Sequence, residues 1–564
     1  MRNNFLNWFF AVEVVLFGLI ITGVLLREVA LYLGVALIVY FLVVPVEDSL
    51  VFFIRSIPLF LAMPLTVDFD NFNIWRILAV IIFLKWVTAK FPISNPKSPV
   101  GDLGSPLRDF QFLARPSAAI PASKAGLGTI KSQFSKLKNL LKPSISPPFF
   151  LIVLLFLAIL SIIPAPDKIA AIKRIIYFLN FAILGIVIYY KSADKEFTKK
   201  LIKNSIIPVV IVAVVGYIQV ISTYFIDIYQ FMRIWGEGIQ CRQFGEQWCN
   251  IAVQLGNTWF AYYGEQLSLR VFSLFPDSHS FPQFVLLGMP AFFSVFGIRK
   301  MRSIKTYGLT SLLAYWLSVA LLFLIIILSG TRGIWAASVG VVLLASGIIL
   351  YTNKIKKTQT ALKLAIANFR AVESVKVVKG ITEYLILFFV MFAVAFPIFS
   401  SPQFLIGKSD DILKQRIKSI LDFEETSNAQ RIEIWKKTLS SIKERPLLGV
   451  GIGNYPVVLG QDIRLAKAGS SAHNLYLHIA AEMGILAGII FIWFLWLLFK
   501  RNYEIFIRED DKQLKTYLAA TLLFVPWVLI YSLTDIAIFD ERALLFALIP
   551  IAIIFGIKNS PRLF

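Results

Sequence analysis

Three histidines are the whole imidazole inventory of this sequence: His279, His473 and His478. Imidazole is the side chain that ordinarily titrates near neutral pH, which makes each one a candidate base. His473 lies in SSAHNLYLHIAAEMG, where an apolar run begins, with Ser470 or Ser471 as the expected helix cap. His473 and His478 are five residues apart, so they point to different faces of a helix and do not form a metal pair. A single interfacial histidine reads equally well as a hydrogen-bonded structural residue.

Arginines accompany them. Arg332 sits in LSGTRGIW between Gly330 and Gly333, a tight turn whose backbone can approach a ligand closely. Arg431 lies in QRIEIWKKTLSSIKERP, where Ile432, Trp435, Leu439 and Ile442 recur at helical spacing. That pattern predicts an amphipathic helix in a membrane interface, with Trp435 at headgroup level and Arg431 in the first turn, suited to phosphate. Lipid-headgroup contact is the competing reading for any one such arginine. Gly449, Gly451 and Gly453 mimic a nucleotide loop. No strand precedes them and no P-loop lysine follows, so they read as a tight turn leading toward His473.

The two cysteines, Cys241 and Cys249, fall in one segment, CRQFGEQWC. They could form a disulfide or remain buried thiols, and without a nearby histidine they are too few for a metal site. Neither a metal-ligand cluster nor a serine-nucleophile motif is visible, and the expected metal and cofactor complement is none. What remains is arginine and histidine in apolar surroundings. One reaction suits that inventory: displacement at a sugar carbon bearing a lipid diphosphate. The diphosphate leaves without a general acid but needs cations to hold it, and the acceptor hydroxyl needs a base.

These residues must be positioned by membrane helices. The 564 residues are 57% hydrophobic, 14% aromatic and only 16% charged, which excludes a soluble enzyme, a disordered chain and a coiled coil. Apolar runs predict an all-α polytopic membrane protein with about fourteen spans. They lie at 5–26, 29–46, 49–65, 74–90, 148–164, 169–190, 205–224, 281–298, 309–328, 334–351, 381–398, 473–499, 516–534 and 541–557. The third, with Arg55 and two prolines, is the least regular. The first is too long for a signal-peptide core and is expected to be retained.

A net charge of +22 would suggest nucleic acid in a soluble protein. Here the segments 91–147, 191–204, 299–308, 352–380, 500–515 and 558–564 hold 31 basic and 9 acidic residues, and the remainder is balanced at 25 of each. The positive-inside rule puts those segments and both termini in the cytoplasm. Two long loops, 225–280 and 399–472, are then outside, and all three histidines face outward. The expected division is 1–90, N-terminal helices; 91–147, a basic disordered linker able to touch anionic lipid; and 148–564, the transmembrane core.

Residues 270–500 resemble the superfamily of bacterial O-antigen ligases and O-antigen polymerases. The resemblance rests on LSGTRGIWAAS (328–338), QRIEIWKKTLSSIKERPLLGVGIGNYP (430–456) and AHNLYLHIAAEMGILAG (472–488), in that order and spacing. It implies an enzyme of the bacterial inner membrane acting on the periplasmic side. Such an enzyme moves a glycan from undecaprenyl diphosphate to lipid A–core or to a second lipid-linked glycan. It further implies that Arg332 and Arg431 bind the diphosphate and that His473 is the catalytic residue, as general base or by orienting the acceptor hydroxyl. Arg270 and His279 would be further substrate contacts, and Glu482 structural. The alternatives are a polymerase of the same superfamily and, in a different class, a lipid-linked glycan transporter. A transporter would need ionisable residues in mid-membrane, for which Arg55, Lys85, Lys173 and Arg174 are the candidates.

Overall fold

The computed structural model describes residues 2–66, 72–90, 147–245, 258–263, 266–302, 308–358, 364–404, 426–461 and 470–557. Residues 91–146 of the expected linker 91–147, and Cys249, lie outside them. Among the described residues, eight helices are long and apolar enough to cross a membrane, and three shorter apolar helices accompany them. The chain is an all-α polytopic membrane protein.

The N-terminal group is α1 (Arg2–Ile21), α2 (Val29–Val43), α3 (Val46–Ser56) and α4 (Trp75–Lys90). Then come α5 (Pro147–Leu160), α6 (Lys168–Lys191), α7 (Lys195–Asn204) and α8 (Ile206–Ser222). A connecting segment of short helical turns over 228–244 and a hairpin, Phe260–Tyr263 with Gln266–Leu269, leads to α9 (Ser280–Arg302). The remainder is α10 (Gly308–Leu328), α11 (Arg332–Thr358), α12 (Leu364–Ser400), α13 (Thr426–Glu444), α14 (Leu475–Met483), α15 (Ile485–Arg508), α16 (Lys512–Tyr531) and α17 (Glu541–Gly556).

All but two of the fourteen apolar runs form one continuous helix. The run 49–65 leaves its helix after Ser56, passes a 3-10 turn at Ile57–Leu59 and pairs as a short strand with Phe72–Asn73. Pro58 and Pro64 cannot donate to a helical ladder, and the segment is buried in protein along most of its length. Irregular backbone at membrane depth is stable only when protein covers it. The run 473–499 breaks at Gly484.

At the centre, α9 and α16 pack side by side. Their apolar windows are 83% and 78% buried, against 28–44% in the other six long spans. Those two helices are therefore enclosed by protein, while the others face lipid on one side. The ends of the bundle differ in chemistry. Lys195 pairs with Glu509 at 2.8 Å, Lys199 with Asp511 at 3.0 Å, and Lys200 with Asp48 at 2.9 Å. Lys191 pairs with Glu47 and Lys515 with Glu373. These segments have one topological parity. Segments of the opposite parity meet one another at the other end and build the site below. Two of the mid-membrane cations are bonded within the protein: Arg55 to Asn204 and Asn7, both at 2.8 Å, and Lys85 to the Phe41 and Val44 carbonyls.

The glycine turn after α13 locks onto the α14–α15 break. Gly449, Gly451, Gly453 and Gly484 all have positive φ. The Val450 and Gly451 N–H groups donate to the Ala481 and Glu482 carbonyls, and Ile485 N–H donates to Pro446. A Cβ on Gly484 would lie 2.1 Å from the Leu447 carbonyl oxygen. Gly484→Ala should therefore destabilise the protein by more than ~1 kcal/mol. Gly347→Ala, on an exposed helical position with open space around it, should be neutral or slightly stabilising. Melting of the two variants in detergent checks the contrast.

Candidate functional site

Four chain segments converge at the N-terminal end of α9 and the C-terminal end of α16. The first is 270–280. Arg270 N–H donates to the Trp259 carbonyl at 2.7 Å and Val271 N–H to Leu328 at 3.1 Å. Asp277 caps α9: its carboxylate accepts from the N–H groups of His279 and Ser280, each at 2.8 Å, and from the Ser280 hydroxyl. The second is the turn before α11, where the Thr331 hydroxyl donates to the Ser278 carbonyl at 2.8 Å. The third is 471–477, tied down where Leu475 N–H donates to the Ser532 carbonyl at 2.8 Å. The fourth is 531–540, linked back to α9 by Ser280 and the Ala537 carbonyl.

The side chains of these segments form one charged cluster. Arg270 Nη2 lies 3.3 Å from His279 Nε2, and His279 Nδ1 lies 2.8 Å from the Tyr531 hydroxyl. A guanidinium can only donate, so Nε2 must accept and the proton of neutral His279 sits on Nδ1. Asp535 Oδ2 stands between both histidines, 3.6 Å from His279 Nδ1 and 3.8 Å from His473 Nδ1. Those separations are charge contacts rather than hydrogen bonds.

Burial and these neighbours divide the titrating groups. His279 is lowered to about 3, first by burial and then by Arg270, Arg431 and His473, against the opposing pull of Asp535. Burial alone would raise the Asp535 carboxyl, but His279, His473 and Arg431 outweigh it and hold it below the usual range. Asp277 is pushed up by burial and by Asp535. Asp535 is thus the ionised carboxylate of the pair.

His473 precedes its helix rather than starting it. The cap is Asn474, whose side-chain oxygen accepts from Tyr476 and Leu477 N–H, both at 3.0 Å. The short amide satisfies two first-turn donors at once, so neither Ser470 nor Ser471 caps the helix. Ser471 instead accepts from His473 N–H at 3.3 Å. His473 has φ +45°, a left-handed conformation uncommon for a residue with a Cβ. Its side chain remains 35% exposed while Asp535 is 10% exposed, so the imidazole opens outward over a buried carboxylate.

Arg431 reaches this cluster electrostatically, since it acts on both His279 and Asp535. The helix carrying it runs Thr426–Glu444, so Arg431 lies in the second turn rather than the first, beyond the unpaired N–H groups. Trp435 turns toward protein. Its indole donates to the Ala472 carbonyl at 2.9 Å and pins α13 to the His473 segment. Arg332 opens α11 beside Thr331. Gly333 is small because protein, not ligand, approaches it: a Cβ there would lie 2.5 Å from Thr534 Oγ1 and 2.7 Å from the Tyr531 ring.

Other candidates lie elsewhere. His478 is buried, stacked on Tyr455 and 3.5 Å from Glu482, whose carboxylate accepts from Tyr455 N–H. Cys241 is disulfide-bonded, and Cys249 is the only other cysteine in the sequence. Among the described residues no group of three His, Cys, Asp or Glu is arranged to hold a metal. Asp535 and Tyr531 are the residues that sequence reasoning missed. Tyr531 ends an ordinary apolar helix and Asp535 follows it, in YSLTDIAIFDE, and only tertiary packing brings them to the histidines.

Residues 317–492 match the family model of O-antigen ligase. That span takes in Arg332, Arg431 and His473; Arg270 and His279 precede it, and Tyr531 and Asp535 follow it. No curated protein matches the chain.

The neutral His279 makes stability depend on pH. An unfolded histidine titrates near 6.5 and the folded one near 3. Between those values the unfolded chain binds the extra proton, so stability falls as pH drops through that window. His279→Gln, which keeps an acceptor for Arg270, should flatten the fall of melting temperature between pH 6.5 and 4.

Proposed function

We propose that this chain, which belongs to the O-antigen ligase superfamily, moves a glycan from undecaprenyl diphosphate to an acceptor hydroxyl at the periplasmic face. Membership implies a glycan-transferring enzyme of the ligase or polymerase type. The observation that carries the finer reading is the pairing of a half-open His473 with a buried, ionised Asp535 under the charge of Arg431.

In this reading the acceptor O–H gives its proton to His473 as its oxygen bonds to the sugar carbon. The bond from that carbon to the diphosphate oxygen breaks, and undecaprenyl diphosphate leaves with the electron pair. Asp535 faces Nδ1, which leaves Nε2 for the acceptor and stabilises the imidazolium that forms. Arg332 and Arg431 hold the diphosphate and neutralise the charge that grows on it. Arg270, held by His279, adds a further cation. A positive cluster at the end of a membrane bundle suits a donor whose charge sits on a lipid anchor.

Purified protein in lipid, given undecaprenyl-diphosphate glycan and an acceptor, tests the reading. His473→Ala should lower transfer by roughly 10²–10⁴-fold. Arg332→Ala and Arg431→Ala should each lower it by roughly 10²–10³-fold, with expression and insertion unchanged. Transfer at wild-type rate by both His473→Ala and Arg332→Ala would overturn the assignment. Lipid A–core as acceptor yields a single ligated product, whereas a second lipid-linked repeat yields a ladder, so product size separates ligase from polymerase.

A further inference from the structure

Helix α13 has three distinct sides. At about 100° per residue, Trp435, Thr438 and Ile442 share one. Trp435 donates to Ala472, the Thr438 hydroxyl pairs with that of Tyr455 at 2.6 Å, and Ile442 is buried with Tyr455, Ala472 and Ala481. This side faces protein. Glu433, Lys437, Ser440 and Glu444 form the opposite side, which is exposed and polar. Between them runs a flank with a different character: Ile432, Lys436, Leu439 and Lys443, at spacings i, i+4, i+7 and i+11. Leu439 is 54% exposed, and Leu447, just past the helix end, is 79% exposed. Lys436 and Lys443 are exposed and form no ion pair among the described residues.

The depth of this flank follows from its neighbour. Beyond α13, the Pro446 carbonyl accepts from the N–H of Ile485, the first residue of the spanning helix α15. The outward stripe of α15, Ile485, Leu486, Ile489 and Ile492, is exposed in a helix that must face lipid. Leu447 therefore lies at the upper edge of a lipid-facing surface, and the flank of α13 continues it sideways at the boundary. Exposed leucines between lysines suit that boundary: the leucines enter the acyl edge while the lysine stems lie along it and their ammonium groups rise to phosphates. The lysines favour anionic over zwitterionic lipid.

We propose that the Ile432–Lys436–Leu439–Lys443 flank seats α13 in the anionic headgroup layer of the outer leaflet. Trp435 then couples that seat to the backbone beside His473. One consequence rests on the transferase reading: Arg431, on the same helix, is held at the depth of a lipid-borne diphosphate.

The chain has no free cysteine among the described residues, so single spin labels can be placed by Leu439→Cys and Ser440→Cys in full-length protein. Two nanodisc compositions are compared, phosphatidylglycerol with phosphatidylethanolamine, and phosphatidylcholine alone. In the anionic discs the 439 label should be accessible to oxygen and shielded from a nickel chelate, with the 440 label reversed. Lys436→Glu with Lys443→Glu should remove the oxygen preference at 439. A 439 label as open to nickel as the 440 label overturns the proposal, as does one shielded from both reagents, which would mark a protein partner. Equal insertion in phosphatidylcholine, unmoved by the charge reversal, overturns the anionic preference. Glycan transfer is measured in the same discs: an inactive protein whose 439 label still reads lipid supports this seat and counts against the transferase reading.

Discussion

A single buried carboxylate organises the histidine-bearing end of this molecule. Asp535 is ionised although burial opposes it, because two histidines and Arg431 surround it. A buried charge is stable only with such partners, and removing one of them leaves the rest uncompensated. Asp535 comes from the loop after α16, His279 from the entry to α9, His473 from the entry to α14, and Arg431 from α13. Four separate stretches of chain must be in place before the charge is tolerated. The surrounding hydrogen bonds serve that requirement: Thr331 to Ser278, Leu475 to Ser532, and Ser280 to Ala537.

The rigid frame for this arrangement is the α9–α16 pair, enclosed where other spans face lipid. A site built at the ends of protein-covered helices keeps its geometry when the lipid-facing helices tilt or shift. Tight contact at Gly333 adds to the same rigidity, because the Arg332 turn has no room to move relative to Tyr531 and Thr534. The N-terminal group reaches the frame through the same outer loop. Glu541 accepts from Trp75 at 2.9 Å and from Arg76, while buried Arg542 donates to the Phe60 carbonyl at 3.0 Å. Helices outside the family-matched region thus help to fix the loop that carries Asp535.

Hydropathy and charge bias made the fold class legible, because both reflect the bilayer rather than any tertiary contact. His473, Arg332 and Arg431 were legible as local patterns at helix ends. Asp535 and Tyr531 were not, since nothing within YSLTDIAIFDE distinguishes them from an ordinary helix terminus. The three sides of α13 were also hidden. Periodicity groups Ile432, Trp435, Leu439 and Ile442 as one apolar stripe, yet Trp435 and Ile442 turn into protein and Leu439 turns out. A stripe of that width can serve two apolar environments, and sequence spacing cannot divide it. The helix cap was misread for a related reason: serine and asparagine compete for the same N–H groups, and backbone direction decides between them.

The balance of charge in the cluster bears on what it can receive. Arg270 and Arg431 are permanent cations, His279 is neutral, Asp535 is the ionised carboxylate, and Asp277 is displaced toward its neutral form. Two fixed cations therefore stand around one firmly ionised carboxylate in a poorly solvated place. Their attraction for an entering anion would strengthen as water is excluded. In the proposed reaction that anion is the diphosphate. Its charge would increase as it is released from the sugar, and the same cations would then interact with it more strongly than with the bound donor. That difference between ground state and transition state is what accelerates a displacement. The two imidazoles are thereby distinct: His279 holds an arginine, while the His473 side chain stays open.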